Sequence, residues 1–336
     1  MDKIIGLGYA LLGVHMKPER EELLAEMHLV KGGMNCIEED NLLKFKHVVE
    51  TTKCRKVSGG LVGVTMRSLA RLGAAVGFIG KVGNDEDGIF YEKSIKKTGV
   101  EPFLPVDAEA STGFSATIVM PDGSCAWAYY LGAAGQLQAE DLGMEMFRGY
   151  AYLYIEGFLL QNHGMILRAI ELAKEAGLQV CLDMGICQVA AEEREFFLSL
   201  INKYVDIVFV GEQEICTLMG QDFDGAFAAL GRICSVVVAR QGTSGWQIRK
   251  GTEEMHVMPQ KVKKVLDITG ESNYFAAGFL YGLTSGYALE KCGYMGAAMA
   301  AEVAQVAGTE LSPAAWKRLM ACVETLAGNV EVSRGL

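Results

Sequence analysis

The residues with the clearest chemical potential lie between Asp267 and Leu283, which read DITGESNYFAAGFLYGL. Thr269 and Gly270 mark a turn, and the alanine- and glycine-rich residues after it predict a helix that packs closely on a sheet. The first turn of a helix presents unpaired backbone N–H groups and the positive end of the helix dipole. This end of the helix is therefore a candidate site for a phosphate or a developing anion.

The composition excludes several classes of protein. The chain has 336 residues and a formal net charge of -10, without a cluster of Lys and Arg, which argues against a nucleic-acid or anionic-membrane partner. No apolar run reaches the length of a membrane span. The nine cysteines include no C-x-x-C pair and the five histidines show no ligand spacing, so we expect no metal cluster. Reduced core cysteines predict a cytoplasmic protein.

Strands alternate with helices along most of the chain, which is typical of a three-layer α/β fold with a mostly parallel central sheet. A run with Val262, Val265 and Ile268 predicts one more strand just before Asp267. The other main strands are predicted at 4–8, 152–156, 179–183, 207–210 and 236–240. Helices are predicted at 39–51, 61–72, 163–176, 192–203 and 212–219, and the chain is expected to be helical from 270 to 327.

Residues 113–131 interrupt this alternation with a pattern typical of a β-hairpin, turning at Pro121-Asp122-Gly123. Together with early strands at about 10–17 and 28–37, the hairpin predicts a small β-sheet lid on a single domain spanning 1–336. Trp127 and Tyr129 of the hairpin could cover a ligand, pack in the core or contact a second subunit. We favour the last two alternatives, which leaves a homodimer through the lid as a further expectation.

The stretch from Asp267 resembles the C-terminal signature of the PfkB family of sugar and nucleoside kinases, usually D-T-T-G-A-G-D-x-F-x-A-G. Gly59-Gly60 and Arg71 to Gly88 are similar to the N-terminal signature of that family, and the opening IGLGYALL is closest to its adenosine-kinase-like branch. The positions of the C-terminal signature that this chain keeps are Asp267, Thr269, Gly270, Phe275, Ala277 and Gly278.

The resemblance implies a ribokinase-like fold and ATP- and Mg²⁺-dependent phosphoryl transfer to a hydroxyl of a small sugar or nucleoside. Thr269, Gly270 and Ser272 would belong to the anion hole, where Ser272 and Glu271 replace small residues of the family. Asn273 stands where the family has the general base Asp. An amide has no useful basicity, so the help of a general base, typically about 100-fold to 10,000-fold, would be lost.

The resemblance also implies an altered substrate pocket. Tyr9 stands where relatives have Asn, Gly13 where they have Asp, and Val64 where they have a second Asn. Gly60 and Gly132 fall in matching motifs of the same pocket. A pocket built for sugar hydroxyls would thereby become apolar. Val64 could simply be a core position of its helix, but the resemblance places it at the mouth of the pocket, so we favour the loss of sugar binding.

Of the implied nucleotide and metal positions, some keep the residue of the family pattern and others do not. Gly211 replaces the Asn of the N-x-x-E motif, whereas Glu214 remains to organise Mg²⁺ through water. Glu302 falls where an adenine-side Asn is expected. The glycine turn that could approach a nucleotide, and that is also an ordinary hairpin connection, contains Gly242, Thr243 and Gly245.

Two interpretations follow from these residues. The first is a PfkB-family sugar or nucleoside kinase whose catalysis is impaired because the base position is Asn273. The second is a non-catalytic pseudokinase that keeps the fold and acts as a binding or partner protein. The altered substrate, metal, anion and base positions favour the second interpretation, and the intact scaffold motifs support both.

Overall fold

The computed structural model describes residues 1–18, 22–52, 54–121, 125–185, 191 and 193–328. They divide into two compact units. The first unit comprises Met1–Leu7, Val64–Gly77 and the chain from Gln138 onward, and the second comprises Gly8–Gly63 and Phe78–Leu137. The interpretation of the chain as a single domain with a lid stays a prediction.

The strands and helices of the described residues are numbered in chain order. The strands are β1 (Ile4–Leu7), β2 (Leu12–Met16), β3 (Met34–Cys36), β4 (Cys54–Ser58), β5 (Val76–Ile79), β6 (Val82–Gly83), β7 (Val100–Phe103), β8 (Val106–Asp107), β9 (Thr112–Val119), β10 (Cys125–Gly132), β11 (Tyr152–Glu156), β12 (Gln179–Asp183), β13 (Ile207–Gly211), β14 (Val236–Arg240), β15 (Trp246–Lys250) and β16 (Glu253–Val257). The helices are α1 (Glu22–Glu26), α2 (Glu39–Thr51), α3 (Leu61–Arg71), α4 (Glu86–Lys97), α5 (His163–Glu175), α6 (Arg194–Tyr204), α7 (Glu212–Met219), α8 (Phe223–Leu230), α9 (Glu271–Thr284), α10 (Leu289–Val303) and α11 (Pro313–Gly328).

A large sheet forms the centre of the first unit, in the order β16-β15-β14-β13-β12-β11-β1 followed by the start of β5. Strands β1 and β11 to β14 pair in parallel, and β15 and β16 add an antiparallel edge. These parallel strands are almost wholly buried, as expected for a sheet with helices on its faces. The predicted α/β class with a mostly parallel central sheet is confirmed.

The second unit contains a separate five-stranded sheet in the order β3-β10-β9-β2-β4. The antiparallel pairing of β9 with β10 confirms the predicted hairpin, while Asp122 and Gly123 of its predicted turn lie outside the described residues. One face of this sheet shares a core with α1 and α2. Phe45 of α2 stacks on Phe114 of β9, with ring centroids 4.7 Å apart. This small sheet is therefore covered on one face by helices of its own unit.

The strand predicted just before Asp267 is wrong. Residues 258–268 form no strand, and Val265, Leu266 and Ile268 are exposed. The backbone N–H of Leu266 donates to the carbonyl of Ala304, after α10, instead of to a neighbouring strand. Of the segment predicted as two strands at 28–37, Met34–Cys36 alone is a strand. The helical C-terminal part consists of three helices, α9 to α11.

The cysteines are less buried than the sequence suggests. Cys181, Cys234 and Cys292 are buried core residues, whereas Cys36 is exposed. The half-buried cysteines are Cys54, Cys125, Cys216 and Cys322, and Cys187 lies outside the described residues. In the part of the chain that the structure describes, no helix is long and apolar enough to cross a membrane.

The packing of α2 on the small sheet should be visible in stability. Phe45 is fully buried and Leu43 of the same helix is 80% exposed. We expect Phe45→Ala to lower the free energy of unfolding by about 3–5 kcal/mol, because it leaves a cavity against Phe114. The control Leu43→Ala should stay within about 0.5 kcal/mol of the unchanged protein in urea titrations. Equal effects of the two substitutions would contradict this packing.

Candidate functional site

A tight turn precedes α9 and is fixed by the carboxylate of Asp267. One oxygen, Oδ1, accepts hydrogen bonds from the backbone N–H of Thr269 (2.8 Å) and from its hydroxyl (2.6 Å). The other, Oδ2, accepts from the N–H of Gly308 at 2.8 Å. Gly270 follows with φ of 79°, a left-handed conformation that favours glycine. The turn predicted from the sequence is therefore built as an anchored start for α9.

The first turn of α9 directs its side chains to different surroundings. Ser272 is exposed and lines a cavity. Asn273, at the predicted base position, is buried, and its Nδ2 donates to the hydroxyl oxygen of Thr65 at 3.4 Å. Thr65 is also hydrogen-bonded to Tyr154, whose hydroxyl donates to Oδ2 of Asp183 at 2.6 Å. A buried polar chain thus runs from Asn273 to Asp183.

The cavity has a volume of about 550 Å³ and opens at the carboxyl ends of the parallel strands. Its wall includes Asp183 at the end of β12, Gly211 at the end of β13 and Arg240 at the end of β14. Ser272 and Phe275 of α9 complete one side. In open α/β sheets this edge is where ligands bind, so the cavity is the candidate active site.

An ion pair lies at the α9 side of the cavity. Arg240 Nη2 is 2.6 Å from Glu271 Oε2. Glu271 is the first residue of α9, where a carboxylate is stabilised by the helix dipole. Burial raises the pKa of Glu271, and the neighbouring guanidinium of Arg240 opposes that rise. The only positive side chain among the described residues of the cavity wall is therefore already paired with a carboxylate of the chain.

The two predicted metal positions, Gly211 and Glu214, lie against each other. A Cβ atom added at Gly211 would collide with the Glu214 carboxylate, which lies over this glycine. Among the described residues, no group of three or more His, Cys, Asp and Glu could hold a metal ion. Mg²⁺ at kinase sites commonly takes one or two carboxylates and completes its shell with phosphates and water. The carboxylates of Asp183 and Glu214, both on the cavity wall, fit that limited donor set.

The residues predicted to bind the nucleotide have different surroundings in the structure. Gly242 lines the cavity. Gly245 has φ of 103°, and a Cβ there would collide with the carbonyl of Val257. Its glycine is thus explained by the antiparallel connection from β14 to β15, the alternative that the sequence left open. Thr243 lies in the same connection, and Glu302 of α10 forms an ion pair with Arg318 of α11.

The residues predicted for the substrate pocket lie in two units. Tyr9, Gly13, Gly60 and Gly132 belong to the second unit, and Val64, which is buried in α3, belongs to the first. Gly60 has φ of 80° and faces the carbonyl of Tyr9 so closely that a Cβ would collide with it. The structure thus brings positions 9 and 60 together and gives Gly60 a backbone role.

Gly132 and Gly13 have different explanations. Gly132 ends β10 with φ of 48°, and a Cβ would collide with the carbonyl of Ser111. A Cβ at Gly13 would instead come to 2.8 Å from Cγ2 of Val57. The first glycine is required by the backbone, whereas the second leaves space that a neighbouring side chain occupies.

Sequence reasoning missed Arg240, Thr65 and Tyr154. Arg240 ends a predicted strand two residues before the glycine turn, and that position at the carboxyl end of a strand was a usable signal. Thr65 and Tyr154 lie inside an apolar helix and an apolar strand and read as core residues. Their hydrogen bonds join segments distant in sequence, which no local pattern reveals.

Residues 33–316 match the pfkB family carbohydrate kinase, and the chain belongs to this family. An uncharacterized sugar kinase of Archaeoglobus fulgidus is 29% identical over 70% of this chain and 93% of its own length. A 5-dehydro-2-deoxygluconokinase of Bacillus subtilis is 25% identical over 82% of this chain and 89% of its own.

A solved structure is similar over almost the whole chain. The adenosine kinase of Sinorhizobium meliloti has a TM-score of 0.83 at 27% identity and covers 96% of this chain and 99% of its own. The predicted ribokinase-like fold is confirmed, and membership of the family implies the use of ATP.

The carboxyl group of Asp183, half-buried at the cavity wall, should make stability depend on pH. Burial raises its pKa, and hydrogen bonds from Tyr154 and Gly185 oppose the rise only in part. The folded protein therefore holds this proton more tightly than the unfolded chain, so stability is lost as pH rises from about 4 through the raised pKa. Asp183→Asn keeps an acceptor for Tyr154 and cannot ionise.

We expect the stability of Asp183→Asn relative to the unchanged protein to improve as pH rises from about 4 to 7, by about 1.4 kcal/mol for each unit of raised pKa. Urea titrations at several pH values measure this difference. The companion variant Tyr154→Phe removes a hydrogen bond that opposes the rise and should steepen the loss. A difference that does not change with pH would contradict the assignment.

Proposed function

We propose that this member of the pfkB family binds a magnesium nucleotide in the cavity of the first unit and transfers its phosphoryl group to a small sugar or nucleoside only slowly. The observation that carries the proposal is the buried amide of Asn273 at the base position, held by Thr65. The relatives named as sugar kinase, 5-dehydro-2-deoxygluconokinase and adenosine kinase suggest the classes of acceptor to test.

The chain's own residues would divide the work as follows. The anchored turn at Thr269 and Gly270 and the first amides of α9 would hold the transferred group, with Ser272 beside them. Magnesium with ATP would supply the phosphoryl group and neutralise part of its charge, held by Glu214 and Asp183. Asn273 is buried against Thr65 and is not among the described residues that line the cavity. Its amide cannot take a proton, so transfer would depend on positioning and electrostatics alone.

A second candidate function is that of a non-catalytic binding or partner protein. The observation that favours it is the carboxylate of Glu214 lying over Gly211, so that the retained glutamate of the metal motif packs on the altered position of the same motif. Such packing suits a cavity that no longer needs to exchange magnesium nucleotide at each turnover. Its contact with a partner would follow the predicted homodimer through the small sheet.

A thermal-shift titration with ATP and ADP, with and without Mg²⁺, separates the two candidates and does not require the acceptor to be identified. A ligand at about 100 times its Kd stabilises the folded state by about 2.7 kcal/mol, which moves the unfolding midpoint by several degrees. The proposal expects a shift that depends on Mg²⁺. The absence of any shift at millimolar nucleotide would contradict it and favour the non-catalytic candidate.

Restoring a carboxylate should not restore a normal rate. We expect Asn273→Asp to raise single-turnover transfer from ATP by less than about 10-fold, well below the 100-fold to 10,000-fold that a positioned base typically gives. The reason is that Tyr9, Gly13 and Val64 also replace polar residues of the family pattern. Asn273→Ala is the control for loss of the amide. Near-normal turnover in Asn273→Asp would contradict the explanation that the altered substrate-pocket residues also limit the rate.

A further inference from the structure

Arg240, the only positive side chain among the described residues of the cavity wall, forms an ion pair with Glu271. We propose that Glu271 competes with phosphate for Arg240, so that a phosphate-bearing ligand binds only when this pair opens. The inference concerns the regulation of the same cavity and rests on the proposed function for its choice of ligand. It concerns a departure of this chain from the family pattern, in which a carboxylate replaces a small residue at position 271.

The two charged side chains come from elements that border the cavity. Arg240 ends β14, and its backbone is held between Gly211 of β13 and Trp246 of β15. Glu271 begins α9, whose start is anchored through Asp267. Because the backbone on both sides is fixed, exchange of partners at Arg240 requires only side-chain rotation.

The charges of the cavity wall make this exchange selective. Among the described residues of the wall, Asp183, Glu212 and Glu214 are acidic, and Arg240 is the only cation. These three acidic side chains outnumber the one cation, and with Glu271 on Arg240 no unpaired positive side chain of the described wall remains for an entering phosphate. Once released, the guanidinium can bind a phosphate through two parallel hydrogen bonds, which a carboxylate on the same fork prevents.

The exposure of the pair allows it to open. The side chain of Arg240 is 32% exposed and that of Glu271 is 14% exposed. The pair is therefore only partly screened by solvent, and the free energy needed to open it is subtracted from the binding of a phosphate that takes the place of the carboxylate. The pair should therefore weaken the binding of phosphate-bearing ligands without closing the cavity to uncharged ones.

The experiment measures the Kd of inorganic pyrophosphate, ADP and uncharged adenosine for the full chain by calorimetry. We expect Glu271→Gln to bind pyrophosphate and ADP about 10-fold more tightly, which corresponds to about 1.4 kcal/mol. The affinity for adenosine should not change. The matched control is Glu290→Gln, which removes an exposed first-turn glutamate from α10 and should leave all three affinities unchanged.

A double-mutant cycle separates direct competition from a general effect of charge. Arg240→Gln should bind pyrophosphate more weakly than the unchanged protein, and adding Glu271→Gln to it should bring no further gain, because the contested cation is absent. A gain of equal size in both backgrounds would overturn the proposal in favour of long-range electrostatics. So would equal pyrophosphate affinity in the unchanged protein and Glu271→Gln.

These readouts are independent of the proposed slow transfer. If the unchanged protein transfers phosphate at a normal rate, the proposed function fails, and the ion pair is still judged by the pyrophosphate affinities. If none of the variants binds pyrophosphate or ADP at millimolar concentration while thermal melts show them folded, the competition between Glu271 and phosphate is refuted as well.

Discussion

The geometry of the candidate site depends on the hydrogen bonds that the carboxylate of Asp267 accepts. Asp267 accepts hydrogen bonds from Thr269 on its own side and from Gly308 after α10. These bonds connect two segments more than a helix apart in sequence and hold the left-handed turn at Gly270. Bonds of this kind to an ionised acceptor are stronger than those between neutral groups. The direction of α9, and so of every side chain in its first turn, follows from this anchor.

The first turn of α9 separates two kinds of chemistry by helix geometry alone. Positions two apart on an α-helix point to nearly opposite sides, because each residue turns the helix by about 100°. Glu271 therefore reaches Arg240 at the cavity, while Asn273 turns inward to Thr65. Ser272 between them remains exposed. A change of charge at 271 and a change of basicity at 273 thus act on different neighbours, although they lie within one turn.

The fold was predictable where burial and periodicity agree. Tyr152–Glu156, Gln179–Asp183 and Val236–Arg240 are strands at the predicted bounds, because uniformly apolar runs of this length suit a sheet covered on both faces. Residues 262–268 also carry apolar side chains, yet Val265, Leu266 and Ile268 are exposed and the backbone N–H of Leu266 donates to Ala304 at the end of α10. A local apolar pattern does not distinguish a strand of a buried sheet from an exposed segment outside the sheet.

The position of the site along the chain was predictable from the sequence, whereas most of its side-chain contacts were not. The turn and its glycine are visible within Asp267–Leu283 because a helix start has a local sequence signal. The altered base position follows from the resemblance of the same stretch to the family signature. The ion pair of Arg240 with Glu271 spans 31 residues, and the chain from Asn273 through Thr65 spans 208. Such contacts depend on which strand ends meet in the folded sheet, and one sequence does not specify that from its local patterns.

The glycines of the site have two different structural causes. Gly60 and Gly132 have positive φ and face backbone carbonyls, so their backbone requires glycine whatever the protein binds. Gly13 and Gly211 stand where the family pattern has polar side chains, and here Val57 lies over the first and Glu214 over the second. A polar residue restored at position 13 would have to displace the branched side chain of Val57, and packed surroundings resist added volume, with penalties of about 1–3 kcal/mol for each insertion that cannot be absorbed. At position 211 the contact is the carboxylate end of a flexible side chain beside the cavity, so Glu214 can rotate away at little cost. Packing therefore resists reversion at Gly13 and not at Gly211, which makes position 13 the harder of the two to restore.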